Sequence, residues 1–376
     1  MLKIALAQIE VIPGRPDQNT KNMLTMIEQA RQQQVQMIVF PEMSIPGYFL
    51  GDTWEQLAFL RDCEAYGQRI VQASADICIV FGNIAMDWDK INDDGRVRKY
   101  NACFVAYQSK LMGSDNFPYP FRIKTLQPNY REFDDSRHFY SLRKLATELG
   151  EDVNQLLQPV NLNLDNKQLI LGCILCEDGW CDAYATKPTT AIHQNGPADL
   201  FINISSSPYT IGKNNKRNRV FSNQAQTLNR PLIYVNNTGI QNNGKNVYTF
   251  DGLSTVYNSK GEIVDYCQPF CSVLKCIDLA LTSNPTKDLS CSSAVDHSPI
   301  AMANDTDISS IYKGLYYGTE RFLRSIGMKR VVIGASGGID SAVSAALYAK
   351  ILGPENVLLV NMPSIYNSQT TKDLSA

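Results

Sequence analysis

From Met1 to about residue 280, apolar residues fall in short, nearly unbroken runs separated by stretches with helical spacing. The runs at 3–9, 37–40, 77–81, 102–107, 169–176, 200–204 and 232–235 predict strands, with further ones near 253–257 and 272–277. Between the first two, Met23, Ile27 and Ala30 recur at helical spacing within 19–34, after Asn19 or Thr20 as cap. Strands that are apolar almost throughout belong to sheets covered on both faces. The pattern therefore predicts a layered α/β domain over 1–280.

The pattern breaks at about Leu281. TSNPTKDLSCSSAVDHSPIAMANDTD is rich in Ser, Asn, Asp and Pro and has no period, so 281–305 reads as a linker. A second pattern follows: a helix over 308–326, a strand at 330–333, a glycine turn, a helix over 341–352 and a strand at 357–360. That is one βαβ unit, the start of a doubly wound parallel sheet. The stretch 306–376 is shorter than the roughly 100 residues of an open α/β domain, so this second domain is expected to be incomplete.

Composition narrows the function classes. The 376 residues allow two domains, and 44% hydrophobic with 19% charged residues is ordinary for a globular enzyme. A net charge of −2 argues against binding nucleic-acid phosphates. No run approaches the roughly 18 apolar residues of a membrane span. The opening MLKIALAQIE reads as a strand, not a signal peptide. Ten cysteines, several inside apolar runs, point to reduced thiols and a cytoplasmic setting. The sequons at Asn203, Asn236 and Asn304 are then chance matches.

Chemistry concentrates where apolar runs end. In LILGCILCEDGW, Cys173 and Cys176 lie three apart in a strand pattern, so their sulfurs point to opposite faces and a redox or zinc pair is excluded. Cys173 reads as core. Cys176 sits where the run gives way to Glu177 and Asp178, at the strand end where α/β sheets collect chemistry. It is a candidate nucleophile or an inert thiol. With three histidines in the chain, an activating base would have to be a carboxylate and the nearby charge a lysine. Glu42 is delivered in the same way after MIVFP, with PGY as the turn beyond; a solvated loop glutamate is the alternative. Lys124 follows the FPYPF loop and is a third candidate, or a plain surface charge. Lys213, Lys216, Arg217 and Arg219 read as a solvated helix face rather than a nucleic-acid patch, since no aromatics interleave.

Taken in order, PEMSIPGY, KTLQPNY with FDDSRHF, and ILCEDGW resemble the Glu-Lys-Cys signatures of the nitrilase superfamily. INISSSPYTIGK is similar to a segment of the amidase domain of glutamine-dependent NAD synthetases. The resemblance covers about 1–280 and implies an α-β-β-α sandwich. It further implies that Cys176 attacks the glutamine amide, Glu42 shuttles protons, and Lys124 stabilises the oxyanion. Tyr130, Ser207 and Lys213 match glutamine-binding positions, and Glu177 is placed to hold the substrate amino group. Gln127, Asp135 and Gly179 depart from the usual leucine, glutamate and larger residue.

VVIGASGGIDSAVSAAL puts Gly334, Ala335, Ser336, Gly337, Gly338, Ile339, Asp340 and Ser341 between a strand and a helix, an anion-binding arrangement. The order is neither G-x-x-x-x-G-K-[ST] nor G-x-G-x-x-G. It resembles the SGGxDS pyrophosphate loop of ATP pyrophosphatases, which implies ATP as substrate and Mg2+ held through Asp340; a structural helix-start aspartate is the alternative. NMPSIYNSQTTKDLSA is similar to a later stretch of NAD synthetases. Together the resemblances imply glutamine-dependent NAD synthesis in a homo-oligomer, with ammonia passed to adenylylated nicotinic acid adenine dinucleotide. This chain is expected to carry the glutaminase half. The alternatives are a stand-alone amidase of the same superfamily and an inert nucleotide-binding module.

Overall fold

Alternation within each apolar run decides the architecture. In a computed structural model, which describes residues 1–114, 117–131, 133–279 and 306–375, the runs form two sheets that pack face to face. Ile4, Leu6, Met37, Val39, Cys78 and Val80 of one sheet meet Leu171, Cys173, Leu175, Ile202, Ile204, Ile233 and Val235 of the other. The intervening residues point outward. Ala5, Ile38, Phe40, Ile79 and Phe81 lie under Met23, Ile27 and Ile70 from the helices Pro16–Gln32 and Leu57–Gln72. Phe201, Leu232 and Tyr234 lie under Ile192 and Phe221 from Pro188–Asn195 and Lys213–Leu228. The expected α-β-β-α sandwich is present, and both faces of each strand lose their apolar area to packing.

One sheet runs Val273–Leu279, Leu2–Gln8, Met37–Val39, Cys78–Ile91, Val97–Tyr107 and Lys110–Leu111, with Arg122–Ile123 also paired to Val97–Tyr107. The other runs Ile263–Tyr266, Thr255–Tyr257, Leu232–Asn236, Leu200–Ser205, Lys167–Leu175 and Val160–Leu164. Leu2–Gln8, Met37–Val39 and Cys78–Ile91 are mutually parallel, as are Lys167–Leu175, Leu200–Ser205 and Leu232–Asn236. Glu42, Cys176 and Ser207 follow the carboxyl ends of three of these strands.

Two expectations are revised. The strand read at 77–81 is the first part of Cys78–Ile91, a long hairpin arm paired with Val97–Tyr107. Its far half, MDWDKI, is partly exposed and polar, so it lacks the apolar signal of the buried half. The strand read at 169–176 stops at Leu175, which leaves Cys176 outside it.

The chain divides into two compact units, Met1–Asp307 and Ile308–Ala376. The linker read at 281–305 lies outside the described residues. In the second unit, Val331–Ala335 and Val357–Asn361 pair in parallel on either side of the helix Ile339–Leu352. Val332, Leu358 and Leu359 on these strands are exposed.

Candidate active site

Glu42 leaves the strand Met37–Val39 on a loop pressed against the neighbouring strand. At Gly82 a Cβ would run into the backbone of Glu42 and Met43, so only glycine permits this approach. Gly82 N donates to Pro41 O (3.1 Å) and Ser44 N to Gly82 O (3.0 Å), which fixes the turn. The Glu42 side chain is fully buried. Its Oε1 accepts from Asn101 Nδ2 (2.7 Å) and Lys124 Nζ (2.9 Å), and its Oε2 from Ser206 N (2.8 Å).

Lys124 follows the short strand Arg122–Ile123 and is also buried. Besides Glu42, its Nζ donates to Asp135 Oδ2 (2.9 Å) and Tyr48 OH (3.0 Å), and Tyr48 OH donates to Asp135 Oδ1 (2.5 Å). Burial works to discharge the ammonium, but Asp135 and Glu42 outweigh it and hold the Lys124 pKa well above its ordinary value. Burial raises the Glu42 pKa, with Lys124 pulling it back. A carboxylate raised in this way is better poised to take a proton. All three donors of the Lys124 ammonium are thus engaged.

Cys176 begins a single tight turn, Cys176–Gly179, with a backbone φ of +40° that a side-chain-bearing residue seldom adopts. The kink takes Cys176 out of the strand. Burial, then Glu42, push its thiol up to about 12, while Lys124 and Lys213 oppose the shift. The sulfur therefore rests protonated and needs a base. Gly179 ends the turn against Phe221 and Asn203, where a Cβ would collide with both side chains, so the larger residue usual in the family has no room here.

Cys176 opens onto a cavity of about 750 Å3 that Tyr48, Tyr130, Glu177, Ser207 and Lys213 also line. Tyr130 OH and Tyr184 OH donate to the two Glu177 oxygens at 3.0 and 2.8 Å. Lys213 Nζ donates to Pro208 O (3.1 Å), and Ser207 N to Asn236 Oδ1 (2.8 Å). A carboxylate and a lysine both line the cavity. The two motif sets quoted from the sequence thus meet in one cavity.

The solvated-face reading of 213–219 does not hold for Arg217. Arg217 is fully buried on Asp251 (3.2 Å), and Lys216 lies 5.6 Å over the Trp180 ring at the cavity. Three contributors had no distinguishing sequence signal: Tyr48, Asn101 and Ser206. Tyr48 lies in PGY, which reads as a turn; the others reach the site only through tertiary contacts. Asp135 replaces the usual glutamate and, though shorter, still reaches Lys124. Gln127, the third departure, donates to Phe139 O (2.9 Å).

In the second unit, Gly337 has φ +76° and a Cβ there would strike the Thr371 carbonyl, so the turn requires glycine. Ser341 Oγ ties the loop together, accepting from Ser336 N (3.3 Å) and donating to Gly338 O (2.9 Å). The helix starts at Ile339, which places Asp340 and Ser341 in its first turn. Asp340 is exposed.

A model of the carbon-nitrogen hydrolase family matches residues 3–274. The chain belongs to the carbon-nitrogen hydrolase family. A second model, for NAD synthase, matches residues 312–375. The chain is 29% identical to a glutamine-dependent NAD(+) synthetase of Synechocystis sp., over 98% of this chain and 61% of that protein. The solved glutamine-dependent NAD+ synthetase of Acinetobacter baumannii, in complex with ADP, has a TM-score of 0.73 and 26% identity, covering 99% of this chain and 61% of that one. An amidase from Nesterenkonia sp. shares the fold at a TM-score of 0.56 and 19% identity, over 74% of this chain and 90% of its own. The chain thus spans about three fifths of the length of its synthetase relatives. Among the described residues, no helix is long and apolar enough to cross a membrane.

Proposed function

We propose that this chain hydrolyses glutamine to glutamate and ammonia as the glutaminase part of a glutamine-dependent NAD synthetase. The observation that carries the reading is the buried contact of Glu42 with Lys124 at 2.9 Å, together with Cys176 on a cavity that Glu177 and Lys213 also line. Glu42 takes the Cys176 proton as the sulfur attacks the side-chain amide carbon of glutamine. Lys124 stabilises the tetrahedral oxyanion by its charge. Glu42 returns the proton to nitrogen, the C–N bond breaks, and ammonia leaves a γ-glutamyl thioester. Water, deprotonated by Glu42, then cleaves the thioester, and the sulfur regains its proton. Glu177 with Tyr130 would receive the substrate ammonium, and Ser207 and Lys213 its carboxylate. Acid quenching during turnover, followed by mass spectrometry, is expected to show a glutamyl adduct on Cys176. An adduct elsewhere, or none while ammonia forms, would sink the mechanism.

The second part of the reading is synthesis. Residues 334–341 would cradle the pyrophosphate of ATP; the carboxylate of nicotinic acid adenine dinucleotide would attack the α-phosphate, releasing pyrophosphate and giving the acyl adenylate, and ammonia would then displace AMP to give NAD. Among the described residues no cluster of three His, Cys, Asp or Glu side chains is present to hold a metal. A lone exposed Asp340 fits Mg2+ as one ligand beside substrate phosphates, where the ion would neutralise their charge. The domain boundaries proposed are 1–280 for the amidase, 281–305 for the linker and 306–376 for the synthetase part. A cytoplasmic setting is favoured by nine free cysteines among the described residues. Association into a homo-oligomer completes the reading, and the mass of the protein in solution tests it.

A further inference from the structure

Asp178 lies two residues beyond the nucleophile and has no role in the chemistry above. It is buried, and its carboxylate faces three backbone donors. Oδ1 accepts from Thr125 N (3.0 Å) and Leu126 N (2.7 Å), the two residues after Lys124, and Oδ2 from Leu175 N (3.2 Å), the residue before Cys176. One side chain thus spans the two segments that carry the cation and the sulfur. These segments come from different sheets, so sandwich packing alone leaves their separation to side chains at this edge.

We propose that Asp178 is a positioning residue of the amidase reaction, setting the distance between the Lys124 ammonium and the Cys176 sulfur by tying their backbones together. The inference rests on the glutaminase reading. A charge that acts through its field is sensitive to where it stands, and the three amide bonds hold it there. Asparagine fills the same volume but offers one acceptor oxygen and an NH2 group, so it cannot accept from both segments at once.

The experiment compares wild-type protein with Asp178→Asn and Asp178→Ala for glutamine turnover, melting temperature and the rate of Cys176 alkylation by iodoacetamide. Alkylation forms no oxyanion and reads the thiol alone. Because a misplacement of an ångström costs about 100-fold, Asp178→Asn is expected to lose kcat by that order while KM and the alkylation rate stay within about threefold. Asp178→Ala, with three amides left unpaired, is expected to be less stable, which is why the asparagine variant decides. Turnover by Asp178→Asn within about threefold of wild type, or a loss matched by equally slow alkylation, overturns the proposal. If the wild-type protein releases no ammonia, the glutaminase reading falls and takes this inference with it. An active wild type with an equally active Asp178→Asn removes this inference alone.

Discussion

At neutral pH the Cys176 sulfur carries its proton, because burial and the Glu42 carboxylate hold the thiol at about 12. Glu42→Gln keeps the shape of the proposed base and removes its proton affinity. It is expected to cost at least about 100-fold in kcat, measured as ammonia release, with glutamine KM little changed. Lys124→Met should act on stability as well, since it leaves Glu42 and Asp135 buried without their shared cation. Breaking such a group costs about 3–5 kcal/mol, and a melting temperature equal to wild type would contradict the network described. Asp178 supplies a pH test. Burial lifts its carboxyl from 3.8 to about 7, against the pull of three amides and Lys124. A raised folded pKa gives stability that is complete below the unfolded value and is lost as pH rises through the folded one. The melting temperature of wild type minus that of Asp178→Asn should therefore shrink between pH 5 and about 8. A constant or growing difference would show that the carboxyl is not raised.

At the scale of elements, two glycines carry the site. Gly82 lets the Glu42 loop lie against the strand Cys78–Ile91, and Gly179 lets the Cys176 turn close on Phe221. Gly82→Ala must push Glu42 away from Lys124, with an overpacking cost of about 1–3 kcal/mol. Its kcat should fall in a protein that still melts cooperatively, and unchanged turnover would mean the loop has slack. The same scale explains what the sequence discloses. Glu42 and Cys176 stood out as candidates because apolar strands ended on them, and the resemblance gave them their expected roles. Lys124 was legible only through the resemblance of its motif, since the two-residue strand before it leaves no pattern. The kink at Cys176 was not legible, because an apolar run shows no sign of a positive φ at its last residue. Asn101 and Ser206 escaped notice for another reason: Asn101 lies mid-strand and reaches Glu42 only once the sheet Met37–Val39, Cys78–Ile91, Val97–Tyr107 forms, and Ser206 lies in a serine-rich turn and meets Glu42 only after the two sheets pack. Arg217 read as solvated from its basic neighbours, and its buried partner Asp251 is 34 residues away.

Across the whole molecule, the residues proposed for the two reactions fall in two separate compact units. The side chains proposed for catalysis and the cavity belong to Met1–Asp307, and the glycine loop to Ile308–Ala376. Gly337→Ala, which forces a Cβ onto the Thr371 carbonyl, should abolish ATP binding in calorimetry while ammonia release from glutamine is retained. Loss of both would mean that the amidase depends on the loop. The measurement that bears most directly on the reading as a whole is ammonia release from glutamine by this chain beside Cys176→Ala. Release by the wild-type chain that disappears in the alanine variant is the expected result. Release that survives in Cys176→Ala, or a wild-type chain that releases none, would contradict the assignment of Cys176 as the nucleophile of a glutaminase.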